Sequence, residues 1–376
     1  MIYDKTNLTR LVKNFCITGN IVSIEKYGHG HINDTYLVIV SNAGAFEKFV
    51  LQKINTCVFK DVVGLMQNMS TVTDYLHQKL IELGKNPDIY SLTIVKTQDG
   101  NSYFNCGDGD FYRCTKFING AEINEASDNE RQFFCAGKAF GQFQQLMSDF
   151  DASKLFETIP NFHNTLNRLD NLKVSTKKDV LNRLQYCQAE VGFFLDRANY
   201  ASVVVDGIKN GLIPLRVTHN DTKSNNVLLD LKTNEPLAVL DLDTVMAGSI
   251  LYDFGDAIRF GASTGVEDEI DLLKVSFSMK LYKAFVEGFI SEVCDCLSDE
   301  EVNLMYFGAM LMTYECGMRF LTDFLDGDVY FKTSRINHNL DRARTQIKLL
   351  SEMETQKCEM KQAVIDVVSR CKKHSI

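Results

Sequence analysis

The residues best able to do chemistry together lie in one stretch, Val217-Thr218-His219-Asn220-Asp221-Thr222-Lys223-Ser224-Asn225-Asn226-Val227-Leu228-Leu229. It is followed by Val239-Leu240-Asp241-Leu242-Asp243. The pattern reads H-x-D-x-K-x-x-N, then an apolar strand, then two further carboxylates. Phosphoryl transfer needs these residue types in this order. A carboxylate (Asp221) orients the attacking hydroxyl and accepts its proton, while an amide oxygen (Asn226) and a second carboxylate (Asp241) hold Mg2+ on nucleotide phosphates. Lys223 is spaced to neutralise charge that develops on the transferred group. Taken singly, His219, Asp221 and Asn226 could cap a turn and Asp241 could end a strand, as Asn and Asp often do. The ordered set favours the catalytic reading.

A rival reading starts from Ala238-Val239-Leu240-Asp241-Leu242-Asp243-Thr244-Val245, which also fits the first motif of haloacid-dehalogenase-type phosphohydrolases, with Asp241 as nucleophile. That fold needs further parallel strand–helix units downstream, whereas the residues after Phe260 are nearly all helix-patterned. A second, weaker signal is Tyr27-Gly28-His29-Gly30-His31-Ile32-Asn33-Asp34-Thr35-Tyr36. Glycines let backbone amides approach phosphate oxygens. A strand rather than a helix follows, which argues against a dinucleotide fingerprint. In isolation this is a hairpin turn; ahead of the Asp221 loop it reads as a lid over ATP, with Gly28, Gly30 and Asn33 against the nucleotide. Strand alternation puts His29 and His31 on one face, but no third metal ligand is near, and a hydrogen bond to substrate or phosphate suits His31 better. His77 and His163 read as solvated and receive no role.

Elements must position these residues. Ile21–Tyr27, Thr35–Val40, Glu47–Lys53, Leu92–Thr97 and Phe111–Phe117 read as strands, and apolar spacing from Lys60 to Leu83 predicts one long helix. After Gly120 the texture changes. Helical patterns run over Asn129–Met147, Lys177–Arg197, Asp268–Ile290, Asp299–Leu325 and Leu340–Val368, interrupted by a β-rich stretch from Arg216 to Leu242 that turns at Lys232–Pro236. The expectation is an α+β chain: a small five-stranded antiparallel sheet lobe with one long helix over residues 1–118, and a larger, mainly helical lobe over residues 119–376. A cleft between two such lobes is a favoured ligand site. Within it, adenine is expected against the linker at Phe117 and Ile118.

The chain has 376 residues, with 40 Lys and Arg against 49 Asp and Glu, a net charge of −9. That balance argues against nucleic acid as a partner, because phosphate backbones are held by clustered cations. No stretch is long and apolar enough to predict a membrane span. Met1–Phe15 lacks the apolar core of a signal peptide, and the eleven cysteines are too sparse for a disulfide scaffold. Free thiols in a cytoplasmic protein are expected, with a monomer as the default.

The motifs together resemble the aminoglycoside phosphotransferase/choline kinase superfamily, which shares the bilobal protein-kinase-like fold. The closer resemblance is to N-acetylhexosamine 1-kinases, the anomeric sugar kinases within it. It is carried by Tyr27–Tyr36, Val50–Asn55, Phe59–Met66, Ile159–Thr165, Pro214–Lys223, Asp241–Thr244, Asp253–Thr264 and Glu315–Asp323, and spans roughly residues 20 to 350. The resemblance implies ATP-dependent phosphorylation of the anomeric hydroxyl of GlcNAc or GalNAc. Asp221 would be the base, Asn226 and Asp241 the magnesium ligands, and His31, Arg319 and Tyr330 the sugar contacts. Asp243 would touch the sugar or support the metal site. Arg319 could instead be paired with Glu315 or Asp323, and Tyr330 could anchor a loop. Either Gln52 or Lys53 must face the phosphates, because side chains alternate along a strand; Lys53 is the expected one. The helix after it has no Glu in Lys60–Lys79, so the Lys–Glu pair of protein kinases lacks an evident partner. Same-fold kinases for glucosamine, choline, homoserine or an aminoglycoside are the alternatives, although Arg319 and Tyr330 suit a neutral sugar better than a cationic acceptor. A nucleotide-binding module without catalysis would be expected to lack one of Asp221, Asn226 or Asp241, and all three are present.

Overall fold

The computed structural model describes residues 5–28, 32–124 and 129–374. In chain order the elements are α1 (Lys5–Val12), β1 (Asn20–Lys26), β2 (Asp34–Asn42), β3 (Ala45–Ile54), α2 (Val62–Glu82), α3 (Pro87–Tyr90), β4 (Phe104–Asn105), β5 (Phe111–Lys116) and β6 (Ala121–Ile123). There follow α4 (Glu130–Leu146), α5 (Thr165–Lys178), α6 (Gln188–Leu195), α7 (Tyr200–Lys209), β7 (Arg216–Thr218), β8 (Val227–Asp230), β9 (Pro236–Val239), β10 (Met246–Gly248), α8 (Ile250–Gly261), α9 (Met279–Val293), α10 (Asp299–Asp326) and α11 (His338–His374). The result is an α+β chain with an antiparallel five-stranded sheet and a larger helical part.

One compact unit comprises Met1–Glu122, Lys154–Pro160 and Leu228–Met246. Its main sheet has the order β1-β2-β3-β5-β4, antiparallel at every pairing. Ala43 and Gly44 join β2 to β3 with φ of 48° and 88°, the left-handed pair that a two-residue hairpin requires. Alternation along β2 sends Tyr36, Val38 and Val40 into a core with Leu8, Leu11, Val12 and Phe15. Asp61 caps α2 by accepting from Gly64 N (2.9 Å), and Val62, Leu65, Met66, Met69, Val72 and Leu76 form its buried stripe.

The fifth strand differs from expectation. It is Phe104–Asn105, paired to Tyr112 and Phe111, rather than Leu92–Thr97. The latter segment touches β5 only through a bridge from Ile94 to Thr115, then turns away so that Thr97 bridges Phe15 and Lys96 O accepts from Cys16 N (2.8 Å). The unit also takes in chain from beyond residue 118. Asn68 of α2 donates to Phe156 O (2.8 Å) and Val245 O (3.0 Å) and accepts from Phe156 N (2.8 Å), so one buried amide ties in both added segments. β8 and β9 form a hairpin closed by Asp230 N to Glu235 O (2.9 Å), with Leu228 and Ala238 packed on Ile118.

The other unit comprises Ile123–Ser153, Asn161–Val227 and Ala247–Ile376. Phe254 meets Tyr282, Phe285 and Phe289 edge-on at its centre. A Cβ on Gly308 would lie 2.6 Å from Leu251 O, so glycine lets α10 close on α8. The expected helix over Lys177–Arg197 is broken. Asp179 takes φ 37° and its Oδ1 accepts from Arg183 N (2.7 Å) and Leu184 N (3.0 Å), ending α5 and starting a turn. The helix expected from Asp268 begins only at Met279, behind a Ser278 cap. Thr264 N to Ser276 O (2.9 Å) folds the preceding segment back on itself, and Asp268 is taken by Arg335 and His338. Among the described residues, no helix is long and apolar enough to cross a membrane, and none of the eleven cysteines forms a disulfide.

Candidate active site

The helical unit carries the H-x-D-x-K-x-x-N loop. β7 is held by β10, and glycine is needed there: a Cβ on Gly248 would lie 2.6 Å from Thr218 Oγ1. The loop then turns through Asn220 in the left-handed region (φ 65°), which Asn tolerates. Asp253, buried in the first turn of α8, fixes this turn. Its oxygens accept from His219 N (2.8 Å), Asn220 N (2.8 Å) and Gln144 Nε2 (2.7 Å), while its carbonyl accepts from Thr222 Oγ1 (2.6 Å). Burial pushes Asp253 above the ordinary carboxylate range despite these bonds. Next comes Asp221, with Oδ1 on Lys223 Nζ (2.7 Å) and Oδ2 accepting from Asn226 Nδ2 (3.2 Å). The same amide nitrogen also donates to Asp221 O (2.8 Å).

Lys223 remains a cation. Burial would lower it, but Asp221, by charge and hydrogen bond, and Asp256 raise it instead. Asp256, one turn along α8 from Asp253, is buried and would be raised by that burial. Arg259, Lys223 and His163 together hold it below the usual carboxylate range. Asp256 therefore feels the charge of both Lys223 and His163.

Along α10, Glu315, Arg319 and Asp323 occupy successive turns of one face. Neither acid pairs with the arginine. Glu315, fully buried, accepts from Thr165 Oγ1 (2.5 Å) and takes His163 Nδ1 (2.8 Å). Asp323 accepts from the backbone N–H groups of Val329 (2.9 Å), Tyr330 (2.8 Å) and Phe331 (2.9 Å), folding the loop after α10. Arg319 stacks among Phe162 (5.6 Å), Tyr330 (5.9 Å) and Phe331 (5.5 Å) and makes no carboxylate pair among the described residues. The expectation of a solvated His163 is overturned: its side chain is 7% exposed.

The sheet unit carries the other candidates. Gly28 has φ 74°; Gly30 and His31 lie outside the described residues. Gln52 and Lys53 face opposite sides of β3, as alternation demands. Lys53 meets Asp110 in a half-exposed pair that raises it. Gln52 turns inward, accepting from Arg113 Nε (2.9 Å) and donating to Thr35 Oγ1 (3.2 Å). Arg113, 2% exposed, forms an ion pair with Asp243, 4% exposed, and rests on Met69 of α2. Asn33 donates to the other Asp243 oxygen (2.6 Å) and accepts from Asn55 N (2.9 Å). Asn33, just before β2, and the loop after β9 are thereby joined through one buried carboxylate. Phe117 lies edge-on to Tyr27 (5.9 Å), and Ile118 is buried beside the hairpin. Asp241 is exposed in the left-handed region (φ 59°), between Leu240 and a buried Leu242.

Asp243 and Arg113 are far apart in the chain, and the signal for them was one arginine inside the strand Phe111-Tyr112-Arg113-Cys114-Thr115-Lys116. Arg113→Met would leave Asp243 buried without its cation. It is expected to cost about 3–5 kcal/mol of stability, and a double variant that also makes Asp243→Leu should recover most of it. Urea denaturation of the two variants checks this; a loss below about 1 kcal/mol for Arg113→Met would contradict a stabilising pair.

The donor chemistry fits magnesium. With its Nδ2 spent on Asp221, Asn226 keeps its amide oxygen for a cation, and Asp241 presents an exposed carboxylate. Both are hard oxygen donors, and Mg2+ takes few protein ligands alongside water and phosphate oxygens. The phosphohydrolase reading fails on the fold. Asp243 is consumed by Arg113 and Asn33, β9 is the hairpin partner of β8, and among the described residues no strand follows β10.

Residues 23–276 match the model of the phosphotransferase enzyme family. Among solved structures, the chain is similar to a choline kinase from Cryptosporidium parvum Iowa II at 13% identity and TM-score 0.58, covering 97% of this chain and 99% of that one. It is also similar to a microcompartment-associated aminopropanol kinase at 14% identity and TM-score 0.54, covering 95% and 99%. A putative aminoglycoside phosphotransferase from Ralstonia eutropha JMP134 aligns at 11% identity and TM-score 0.55, covering 98% of each chain.

Proposed function

The chain belongs to the phosphotransferase enzyme family, and on that premise we propose that it transfers the γ-phosphoryl group of ATP to the anomeric hydroxyl of an N-acetylhexosamine, GlcNAc or GalNAc. The observation that carries the choice of acceptor is Arg319. Its guanidinium is walled by Phe162, Tyr330 and Phe331, and no carboxylate pairs with it among the described residues. Arg168, whose Nη2 donates to Phe162 O (2.9 Å), adds a second cation beside it. A cationic acceptor such as choline or an aminoglycoside would meet like charge there, whereas sugar hydroxyl and acetamide oxygens accept from guanidinium N–H groups and sugar faces stack on aromatic rings.

In this reading the sugar hydroxyl is oriented by Asp221, whose oxygens keep acceptor capacity beyond Lys223 and Asn226. The anomeric hydroxyl is more acidic than an ordinary alcohol, so alignment by Asp221 contributes as much as proton removal. Lys223, held as a cation, offsets charge growing on the transferred phosphoryl group. Bound Mg2+, held by Asn226 and Asp241, would supply charge neutralisation at the nucleotide phosphates. ATP is assigned to the glycine turn around Gly28, Gly30 and Asn33, with adenine near Phe117 and Ile118; Gln52 stands on the Asn33 side of β3, while the expected Lys53 is drawn to Asp110 on the opposite face. His31 and Tyr330 are the further proposed acceptor contacts. Asp243, with both oxygens taken by Arg113 and Asn33, has the supporting role, holding the loop that carries Asp241.

ADP release from Mg-ATP with GlcNAc, GalNAc, glucosamine, glucose, choline, homoserine and kanamycin tests the assignment. Turnover confined to the N-acetylhexosamines is expected; turnover with choline or kanamycin alone would discard it. Arg319→Ala is expected to raise the KM for the sugar by about tenfold or more, the scale of a lost charged hydrogen bond, with the KM for ATP unchanged. A parallel rise in both constants would contradict a role at the acceptor.

A further inference from the structure

His163 is a residue the phosphoryl-transfer motif does not use. It lies between Phe162, whose ring is 4.5 Å away edge-on, and Tyr252, 5.0 Å away. Its side chain is 7% exposed, and its Nδ1 is fixed to the buried Glu315 carboxylate at 2.8 Å. Its Nε2 is fully buried and has no hydrogen-bond partner among the described residues. Buried polar atoms are nearly always satisfied, so an orphan of this kind points to a missing partner. A carboxylate accepts only, so Nδ1 donates to Glu315, and Nε2 is the ring atom left without a partner.

The surroundings locate that atom within the helical unit. Glu315 and Arg319 are one turn apart on α10, and Phe162 is shared between His163 and the Arg319 guanidinium. On the other side, Asp256 is under the influence of both His163 and Lys223, and Lys223 pairs with Asp221. His163 thus adjoins the Arg319 cluster through Phe162.

We propose that His163 is an acceptor-contacting residue whose Nε2 shares a hydrogen bond with a hydroxyl of the sugar, with Glu315 as the positioning residue that fixes its orientation. This rests on the small-molecule kinase reading above. It adds a requirement to it: the acceptor must bring a polar group such as a hydroxyl to this face, beside the oxygen atoms that Arg319 recognises.

The test is steady-state kinetics with GlcNAc and GalNAc on the wild-type protein, His163→Phe, His163→Gln and Glu315→Gln. Phe fills the space without a hydrogen-bonding atom, while Gln restores one through its amide. His163→Phe is expected to raise the KM for the sugar about tenfold or more with the KM for ATP within about twofold, and His163→Gln to recover part of the loss. Glu315→Gln should raise the sugar KM without moving that for ATP. If His163→Phe fails to fold, His163→Leu, which also lacks a hydrogen-bonding atom, carries the test: a raised sugar KM alone supports the proposal, and unchanged constants overturn it. Wild-type turnover with unchanged sugar KM in His163→Phe, or with both KM values moving together, overturns the His163 role and leaves the kinase reading standing. Wild-type silence with every acceptor of the panel, despite retained Mg-ATP binding, overturns both.

Discussion

Asp221→Asn is expected to lower turnover by about 10²–10⁴-fold while Mg-ATP still binds. The asparagine keeps the shape of the side chain and an oxygen for Lys223 or Asn226, so the loop pinned by Asp253 has no reason to move. What it loses is the negative charge that, in the proposed mechanism, orients and accepts from the attacking hydroxyl. Calorimetric titration with Mg-ATP should give an affinity close to wild type, and thermal unfolding should shift by only a few degrees. Turnover within a factor of a few of wild type would remove Asp221 from the chemistry.

A second large effect is expected at Asp253, which touches no reacting group. Asp253→Ala removes the partner of His219 N and Asn220 N, both in a buried turn, and of Gln144 Nε2. Each of these three buried donors costs about 1–3 kcal/mol when orphaned, so the expected loss of stability is about 3–9 kcal/mol. The neighbouring Asp221 should lose its position as well, and a displacement of about 1 Å is worth roughly 10²-fold in rate. Urea denaturation with an unchanged m-value would report the stability term, and turnover measured well below the unfolding midpoint would report the positional one. Asp253→Asn keeps one acceptor oxygen and should fall between. A stable Asp253→Ala protein with normal turnover would show that the loop is held by other contacts.

Legibility in the sequence follows from how local each determinant is. The Asp221–Asn226 loop is readable because its members are neighbours and their order is set by the chemistry. The hairpin beyond it is readable because Asp230, Lys232 and Asn234 mark a turn between two apolar runs. The long helices with clean caps, such as α10 with its Ser298–Glu301 capping box, are readable for the same reason. Where local pattern and tertiary context compete, the pattern misleads. Lys177–Arg197 has helical spacing, but Asp179 satisfies two backbone N–H groups more locally than a helix would. His163 looks solvated in its Asn-rich surroundings, and only Glu315, far along the chain, makes it a buried group. Gln52 and Lys53 could not be separated by type, because the partner that draws Gln52 inward is Arg113 on β5. The Arg113–Asp243–Asn33 connection has no local signature, since each member comes from a different loop or strand.

The most direct measurement is phosphorus NMR of the product formed from Mg-ATP and GlcNAc, with GalNAc in parallel. An ester coupled to the anomeric proton, formed with one ADP per sugar, is the expected result. A phosphate at another carbon would contradict the anomeric assignment, and no sugar phosphate alongside turnover of choline or an aminoglycoside would contradict the acceptor class drawn from Arg319.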